Sequence, residues 1–440
     1  MSSWCAIDFG TSNSAVAVAR PRGQAASLVA VEDGQATMPT AVFYFTDTDE
    51  AATFAGAQRP AGALPRAYGR AAVRAYVEGA AGRLMRSLKS ILGSSLAEQS
   101  TDLGEGHAVR YLDAVTGVLR RLREVAEGAC GAPLERAVLG RPVFFVDDDA
   151  QRDARAQVML ERAAHAAGFA DVRFQFEPIA AALDHERSAE REQLVLVADI
   201  GGGTSDFSLV RIGPRRRGRT DRRDDILASH GVHVAGTDFD RRIELAVVMP
   251  RLGLGARGPS AAGAREVPSA IYHDLATWHL INTCYRPQRV AELRAMADWY
   301  DDPVPHRRLM HVLDQRLGHD LAARCESAKI EAASTGVARI DLSCVEPALA
   351  ATLDEATALR ALDGDLERIA AAARQTVRLA GVDADVVDAL YFTGGSTGWA
   401  PLTRRLAADF PRARTVHGDR LASVARGLGE YAARMYGDGG

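Results

Sequence analysis

Residues 199–206 read Asp-Ile-Gly-Gly-Gly-Thr-Ser-Asp and lie between two apolar runs, Leu194–Ala198 and Phe207–Ile212. A similar stretch occurs near the start of the chain, where Asp8-Phe9-Gly10-Thr11-Ser12-Asn13-Ser14 also separates two short apolar runs. Two apolar runs around a polar turn rich in Gly, Thr and Ser predict a β-hairpin. An internal repeat of this size predicts two similar lobes that face each other.

The composition is that of a folded globular protein. The chain has 440 residues, 53 basic and 57 acidic side chains, and a formal net charge of −4. Hydrophobic residues make up 47% and charged residues 25%, which excludes a disordered, fibrous or collagen-like chain. At roughly 100–200 residues per domain, the length predicts two or three compact units.

The sequence gives no sign of a membrane or secretory protein. No apolar run approaches the roughly 18 residues that cross a bilayer, and the start has no basic stretch followed by an apolar core. The 5 cysteines are scattered and contain no Cys-x-x-Cys pair, so we expect reduced thiols rather than a disulfide framework or a zinc site. We therefore predict a cytoplasmic protein with no membrane partner.

Nucleic acid is not expected as a partner either. The slightly acidic balance gives no electrostatic reason for it. The arginine-rich run Arg215–Arg219 lies between two predicted strands and contains no interleaved aromatic residues. We predict that this run is a solvated hairpin tip rather than a nucleic-acid patch.

Lysine is almost absent from the chain. Of the 53 basic residues only Lys89 and Lys329 are lysines, and all the others are arginines. A tight phosphate or water site can accept the compact ammonium group of lysine and exclude the planar guanidinium group of arginine. Composition alone leaves open a second interpretation, in which both lysines are chance survivors at surface positions.

Four loops rich in Gly, Thr and Ser each follow a predicted strand: Gly10–Ser14, Gly201–Ser205, Ala235–Thr237 and Gly394–Thr397. Glycine lets backbone N–H groups approach an anion without a clash at Cβ. One such loop is weak evidence, because most are plain turns. Two opposed hairpins of this kind, however, could bind the phosphates of a nucleotide from both sides.

Four acids lie beside the predicted turns or at the start of a predicted helix: Asp8, Glu177, Asp199 and Asp206. Repulsion makes a cluster of carboxylates costly unless a cation offsets it, and Mg²⁺ bound mostly through water would do so. Taken alone, Glu177 is equally typical of a helix start, where an acid is favoured by the helix dipole. The ordered set favours a metal site.

Together these motifs resemble the phosphate, connecting and adenosine motifs of the actin-like ATPase superfamily. The matching stretches are residues 8–14, 177–183, 199–206 and 394–397. They are most similar to the nucleotide-binding domain of DnaK-type heat-shock chaperones, in particular the short YegD-like subgroup without a peptide-binding region. The resemblance implies an α/β chain with the actin-like ATPase fold.

That fold consists of two duplicated ribonuclease-H-like lobes, each with a smaller inserted subdomain. By this resemblance lobe I is residues 1–186, with its insertion at about 36–104. Lobe II is residues 194–440, with its insertion at about 241–335, and residues 187–193 form the crossover.

The resemblance also implies roles for individual residues. Lys89 matches a lysine that orients the attacking water, and Glu177, Asp206 and Thr204 would help to align or deprotonate it. Asp8 and Asp199, with Glu177 and Asp206, would hold Mg²⁺ mostly through water. The residues implied to bind ATP or ADP are Gly10, Thr11, Ser12, Asn13, Gly201, Gly202, Gly203, Thr204, Gly236, Glu326, Lys329, Gly394, Gly395 and Ser396.

Three positions depart from the family pattern near the expected base. Ile330 and Gly398 stand where arginine is usual, and Ala333 stands where serine is expected. Loss of a stacking contact costs about 0.5–2 kcal/mol. We therefore expect phosphate binding to be kept, with weaker ATP affinity or a relaxed choice of base.

The implied function is a slow, Mg-dependent ATPase of the chaperone class whose lobes close on ATP, with a protein client or co-chaperone as a further partner. Because the sequence ends at Gly440, we expect this chain alone not to refold peptides. Two alternatives stay open on the same fold. One is a small-molecule kinase of the sugar-kinase type, and the other is a nucleotide-gated, actin-like filament protein.

Overall fold

The computed structural model describes residues 4–19, 26–60, 62–104, 106–146, 149–258, 265–419 and 422–436, except for the side chain of Asp184. The outermost residues of the two predicted lobes, 1–3 and 437–440, therefore lie outside the described residues. No helix in the described ranges is both long and apolar enough to cross a membrane.

The described residues form both strands and helices. The strands are β1 (Trp4–Phe9), β2 (Asn13–Val18), β3 (Ser27–Leu28), β4 (Thr37–Pro39), β5 (Ala41–Phe45), β6 (Arg66–Tyr68), β7 (Gly82–Arg86), β8 (Ser100–Gly104), β9 (His107–Arg110), β10 (Arg136–Arg141), β11 (Asp171–Phe176), β12 (Gln193–Ile200), β13 (Ser205–Ile212), β14 (Ile226–Val232), β15 (Val337–Asp341), β16 (Ala350–Asp354), β17 (Ala389–Thr393) and β18 (Arg414–His417). The α-helices are α1 (Thr48–Thr53), α2 (Gly69–Val77), α3 (Tyr111–Cys130), α4 (Ala150–Ala166), α5 (Glu177–Ser188), α6 (Gly236–Val247), α7 (Met249–Leu252), α8 (Ala270–Leu275), α9 (Pro287–Arg294), α10 (Pro303–Asp314), α11 (Gly318–Thr335), α12 (Glu355–Leu379), α13 (Ala400–Ala408) and α14 (Ser423–Tyr436).

The two larger sheets repeat one arrangement. The first has the order β11-β10-β1-β2-β3, with β4 also paired to β2, and the second has the order β18-β17-β12-β13-β14. In the first sheet β1 is antiparallel to β2 and parallel to β10, and in the second β12 is antiparallel to β13 and parallel to β17. Both predicted hairpins are therefore confirmed, and they occupy equivalent places in the two sheets.

Smaller units lie within the two stretches predicted as insertions. The three-stranded sheet β6-β5-β7 with α2 falls within residues 36–104. Helices α7 to α10 fall within residues 241–335. The limits of these insertions and of the two lobes remain predictions.

One apolar cluster is built by both halves of the chain. It includes Trp4 and Val138 from the first sheet, Val195 and Tyr391 from the second, and Leu428 from α14, all buried. Helix α14 packs against β1 and α5 of the first half, although it is the last helix described. The two halves are thus joined through packing as well as through the chain.

The run Arg215–Arg219 is not simply the solvated tip that the sequence predicts. Arg217 Nε donates to the backbone oxygen of Glu186 at 3.0 Å, and Arg216 pairs with Asp225 and with Glu192 at 3.1 Å. The run does join the antiparallel strands β13 and β14, and Arg215 and Arg219 are exposed as predicted. The prediction of a solvated tip fails only for Arg216 and Arg217, because folding brings Glu186 and Glu192 to them.

A buried ion-pair network lies at the centre of this contact, beside the predicted crossover. Arg222 donates to both carboxylate oxygens of Glu186, at 3.0 and 2.8 Å, and also pairs with Asp225. All three side chains are at most 2% exposed. The bidentate geometry satisfies charges that would otherwise be costly in the interior.

We expect Arg222→Ala to lower the free energy of unfolding by about 3–5 kcal/mol, because it leaves the buried carboxylate of Glu186 without its cation and removes one of the cations of Asp225. The measurement is denaturant unfolding followed by circular dichroism. The neighbouring, exposed Arg223 provides a matched control, and Arg223→Ala should change stability by less than about 0.5 kcal/mol. Equal effects of the two substitutions would contradict the account of this network.

Candidate functional site

Each predicted acid lies near an end of a strand that belongs to one of the two repeated sheets. Asp8 is the penultimate residue of β1, and Asp199 and Asp206 face each other across the β12–β13 hairpin. Glu177 is the first residue of α5 and directly follows β11. Pro178 in the first turn favours a helix start at this point, because the N–H that proline lacks is not needed there.

Lys89 reaches this group of acids from a short 3-10 helix, Leu88–Ile91. Its Nζ donates to Oε1 of Glu177 at 2.6 Å, although 88 residues separate the two in sequence. The residue before the helix, Ser87, has a left-handed backbone with φ of 56°. The chain therefore turns sharply just before it presents the lysine.

The four acids and Lys89 share one electrostatic environment. Burial raises the pKa of Asp8 to about 8, and repulsion from Glu177 and Asp199 adds to this while Lys89 opposes it. Burial raises the pKa of Asp199 to about 7, with repulsion from Asp206 and Glu177 added and Lys89 again opposed. Asp199 of the second hairpin is thus close enough to Asp8 of the first to raise its pKa, and Glu177 of the first half raises the pKa of Asp199.

Lys89 is held in its charged form by these neighbours. Burial alone would lower the pKa of its ammonium group, but attraction to Glu177 and Asp8 outweighs burial and raises it. A single cleft is lined by Glu177 of the first half together with Asp199 and Asp206 of the second. The site therefore combines carboxylates and one ammonium group at a boundary between the halves.

The two hairpin turns approach each other directly. A Cβ atom built on Gly202 would lie only 2.8 Å from Oγ of Ser12, so a side chain at Gly202 would collide with the first turn. Within the first turn a Cβ on Gly10 would lie 2.2 Å from the backbone oxygen of Asn13. Both glycines are needed where the predicted phosphate loops come together.

The other two Gly-rich loops pack on the second hairpin turn. The backbone N–H of Thr237 donates to Gly202 O at 2.8 Å, and that of Gly236 donates to Gly201 O at 3.2 Å. Ser396 Oγ also donates to Gly201 O, at 2.7 Å. All four loops predicted to bind phosphate or nucleoside therefore lie in one region, and Gly394 and Gly395 lie beside Ser396.

Two of the residues predicted to contact the nucleoside, Glu326 and Lys329, lie on α11. Lys329 Nζ pairs with Oδ1 of Asp240 at 2.7 Å and lies 3.5 Å from the backbone oxygen of Gly236, which connects α11 to the loop 235–237. Glu326 and Ile330 are exposed on the same helix, Ile330 by 63%.

Asp240 was missed from the sequence, although it follows the loop 235–237 by one turn of α6. An acid one helical turn after a Gly-rich loop is a local signal that could have been used.

The four acids are the side chains of this site that could hold a cation. Among the described residues, no three His, Cys, Asp or Glu side chains are arranged to hold a metal directly. The four predicted acids are oxygen donors whose mutual repulsion a cation would relieve. Mg²⁺ prefers oxygen ligands and keeps several of its waters, so these residues fit it.

Comparison with known proteins gives the family of this chain. Residues 5–248 match the family model described as Hsp70 protein, which is more than half of the chain. The chain belongs to the Hsp70 family. Its mixed α/β architecture with two repeated sheets is the actin-like ATPase fold that the motifs predict.

Individual relatives are about one-third identical to this chain over the aligned stretch. This chain is 32% identical over 248 residues to the chaperone protein HscA homolog of Pseudomonas fluorescens strain Pf-5. That alignment covers 54% of this chain and 36% of the relative. The chain is 33% identical over 264 residues to the homolog of Pseudomonas paraeruginosa strain PA7, which covers 57% of this chain and 38% of the relative. The matches thus span little more than a third of the length of these relatives.

The raised pKa of Asp8 predicts a specific pH dependence for this Hsp70-family protein without nucleotide or Mg²⁺. A carboxyl group whose pKa is higher in the folded than in the unfolded state stabilises the fold at low pH, and this stabilisation is lost as pH rises through the folded-state value of about 8. Asp8→Asn mimics the protonated acid. Between pH 6 and 9 the wild type should therefore lose on the order of 1–3 kcal/mol of stability relative to this variant.

The measurement is thermal unfolding of both proteins across this pH range. Asp301→Asn, which changes an exposed carboxylate, serves as the control and should show no such divergence. A constant difference in melting temperature between the Asp8→Asn protein and the wild type would contradict the electrostatic account.

Proposed function

We propose that this chain binds ATP and hydrolyses it slowly with Mg²⁺, as the ATPase unit of a chaperone-like protein. The observation that supports this best is that Asp199 of one hairpin lies close enough to Asp8 of the other to raise its pKa, beside the Lys89–Glu177 ion pair. Such a site suits an anionic phosphate chain accompanied by a cation. Assignment to the YegD-like subgroup, a cytoplasmic location, and a client or co-chaperone as partner belong to the same proposal.

The loops at residues 10–13 and 201–204 would bind the phosphates through backbone N–H groups, since glycine permits close approach. Bound Mg²⁺ would supply charge neutralisation at the phosphate oxygens, held mostly through water by Asp8, Glu177, Asp199 and Asp206. Residues Gly236, Glu326, Lys329, Gly394, Gly395 and Ser396 would contact the nucleoside.

Lys89 would orient the attacking water, and its charged form suits that role because phosphoryl transfer depends mainly on positioning and charge stabilisation. Glu177, Asp206 and Thr204 would align the water or accept its proton. Thr204 Oγ1 donates to Oδ2 of Asp206 at 2.8 Å, so its hydroxyl proton is already engaged. The lone pairs of Thr204 are then left for the water.

The two lysines give opposite predictions. Lys89→Ala should lower the turnover of ATP by about 100-fold or more while nucleotide affinity changes little, because its role is in the reaction rather than in binding. Lys329→Ala should weaken nucleotide binding by about tenfold with turnover at saturation nearly kept. Calorimetric titration with ATP, ADP and GTP, with and without Mg²⁺, gives affinity, and phosphate release gives turnover.

Unchanged turnover in the Lys89→Ala protein would refute the role of that residue. Failure of the wild type to bind ATP or ADP would refute the proposed function as a whole. Phosphate release that required a polyol acceptor would favour the kinase alternative, and ATP-dependent pelleting would favour the filament alternative.

Contacts between the two halves support a closing motion. In α2, the ring of Tyr76 stacks on Trp278 with centroids 5.0 Å apart, and His319 of α11 lies edge-on to both rings. The guanidinium carbon of Arg86 lies 4.4 Å from the centroid of Trp278. Arg86 is also close enough to Glu326 for the carboxylate to raise its pKa against the larger lowering effect of burial.

We call Tyr76, Trp278 and His319 the aromatic bridge. Because it joins α2 to α11 beside Glu326, opening of the lobes would have to separate these rings. An aromatic pair contributes about 0.5–1.5 kcal/mol. Tyr76→Ala should therefore speed the release of a fluorescent adenine nucleotide by roughly two- to tenfold.

Stopped-flow displacement of the nucleotide measures this rate. Val77→Ala is the matched control, since Val77 is adjacent on α2 and 44% exposed, and it should leave the rate unchanged. If both variants release nucleotide at the wild-type rate, the aromatic bridge does not control opening.

A further inference from the structure

Three of the four site carboxylates rest against a glycine of a neighbouring strand or loop. Gly231 of β14 is the cross-strand partner of Asp206, and a Cβ built on it would lie 2.5 Å from Oδ1 of Asp206. A Cβ on Gly140 of β10 would lie 3.1 Å from Cγ and 3.3 Å from Oε1 of Glu177. A Cβ on Gly394 would lie 2.7 Å from Oδ1 of Asp199.

The backbone explains only one of these glycines. Gly394 has a φ of 87°, and its Cβ would also lie 2.4 Å from the backbone oxygen of Ile200, so this position needs glycine for conformational reasons. Gly231 and Gly140 do not have positive φ values and lie inside strands. Glycine weakens a strand interior, and its presence there often marks a close approach by another group.

At Gly231 the approaching group is the carboxylate itself. The next nearest atom to a Cβ at this position would be Ser205 O at 3.4 Å, an ordinary contact distance. A methyl group would therefore collide with Asp206 and with little else. To avoid it, Asp206 would have to rotate away from the position in which its other oxygen accepts from Thr204.

At Gly140 an added methyl group would overlap its neighbours less closely, and both Glu177 and Leu428 would be affected. The contacts with Glu177 are tight without being impossible, and the Cβ would also lie 3.1 Å from Cδ1 of Leu428. The Glu177 oxygen concerned, Oε1, is the one that accepts from Lys89 at 2.6 Å. A methyl group here would displace this ion pair by a few tenths of an ångström, because contacts of that length can relax by small shifts.

We propose that Gly231 is a positioning residue for Asp206 and Gly140 a weaker one for Glu177, an inference that rests on the proposed ATPase function. The absence of a side chain at these two strand positions lets the carboxylates lie where the acids of both halves converge. Neither glycine touches the reacting atoms, so each acts only through its acid.

The test is a double-mutant cycle with Gly231→Ala, Asp206→Ala and the double variant, studied as full-length chains. Gly231→Ala should lower turnover about 10- to 100-fold, raise the Mg²⁺ concentration for half-maximal turnover, and change ADP affinity little. Its melting temperature should fall by a few degrees, although alanine in a strand is ordinarily more stable than glycine.

In the Asp206→Ala background the clashing atoms are gone. Adding Gly231→Ala to the Asp206→Ala protein should leave the residual turnover unchanged. It should also keep or raise the melting temperature, whereas the same substitution lowers the melting temperature of the wild type. A general structural defect would not reverse its effect in this way. Gly218→Ala is the control, since a Cβ at Gly218 meets no atom within 4 Å. Gly140→Ala should lower turnover less than Gly231→Ala does.

The outcomes separate the inference from the proposed function. Wild-type turnover by Gly231→Ala, or effects of Gly231→Ala that are the same with and without Asp206, would overturn the inference. If Gly231→Ala does not fold, recovery of folding in the double variant supports the inference, and failure of both overturns it. Wild-type turnover by Asp206→Ala alone would instead overturn the role of Asp206 in the proposed function, while the melting temperatures still decide the role of Gly231.

Discussion

Repulsion among Asp8, Glu177, Asp199 and Asp206 is the constraint on which the arrangement of this site depends. The two hairpins bring acids from both halves of the chain to one place, where burial and repulsion raise the pKa of Asp8 to about 8 and that of Asp199 to about 7. Lys89 offsets part of this cost through its ion pair with Glu177. A cluster that is costly by itself becomes favourable when a cation joins it, so the same charges that weaken the fold prepare it for a ligand.

The rest of the fold keeps these charges together against their repulsion. The cluster shared by both halves places buried side chains such as Val195 and Leu428 behind the hairpins, and α14 returns to pack on the first sheet. The bidentate Arg222–Glu186 pair fixes the loop 213–225 beside the crossover. Backbone hydrogen bonds between the loops, such as the one from Thr237 N–H to Gly202 O, then fix the loops relative to each other.

Local patterns predicted the hairpins and the places of Asp8, Asp199 and Asp206, because each lies in a short strand whose apolar residues are visible in the sequence. Lys89 was singled out by the scarcity of lysine and by the family resemblance instead. Contacts between distant segments were not predicted. Arg217 looked solvated because its acceptor on Glu186 is 31 residues away, and Tyr76 and Trp278 gave no sign that they stack across the two halves. The partner of a side chain is set by tertiary packing, and no period of 2 or 3.6 residues encodes it.

The two lysines show how composition and structure combine. Each makes a short ion pair with one carboxylate, Lys89 with Glu177 at 2.6 Å and Lys329 with Asp240 at 2.7 Å, and both are largely buried. An ammonium group has three N–H donors in a compact tetrahedral arrangement, whereas a guanidinium group presents a wide planar fork. A lysine can therefore pair with a single carboxylate oxygen and still direct other donors toward water or a phosphate in a confined space. The wider fork of arginine matches both oxygens of one carboxylate, as Arg222 does with Glu186. A chain that uses arginine for its other cations thus has a physical reason to keep lysine at these two positions.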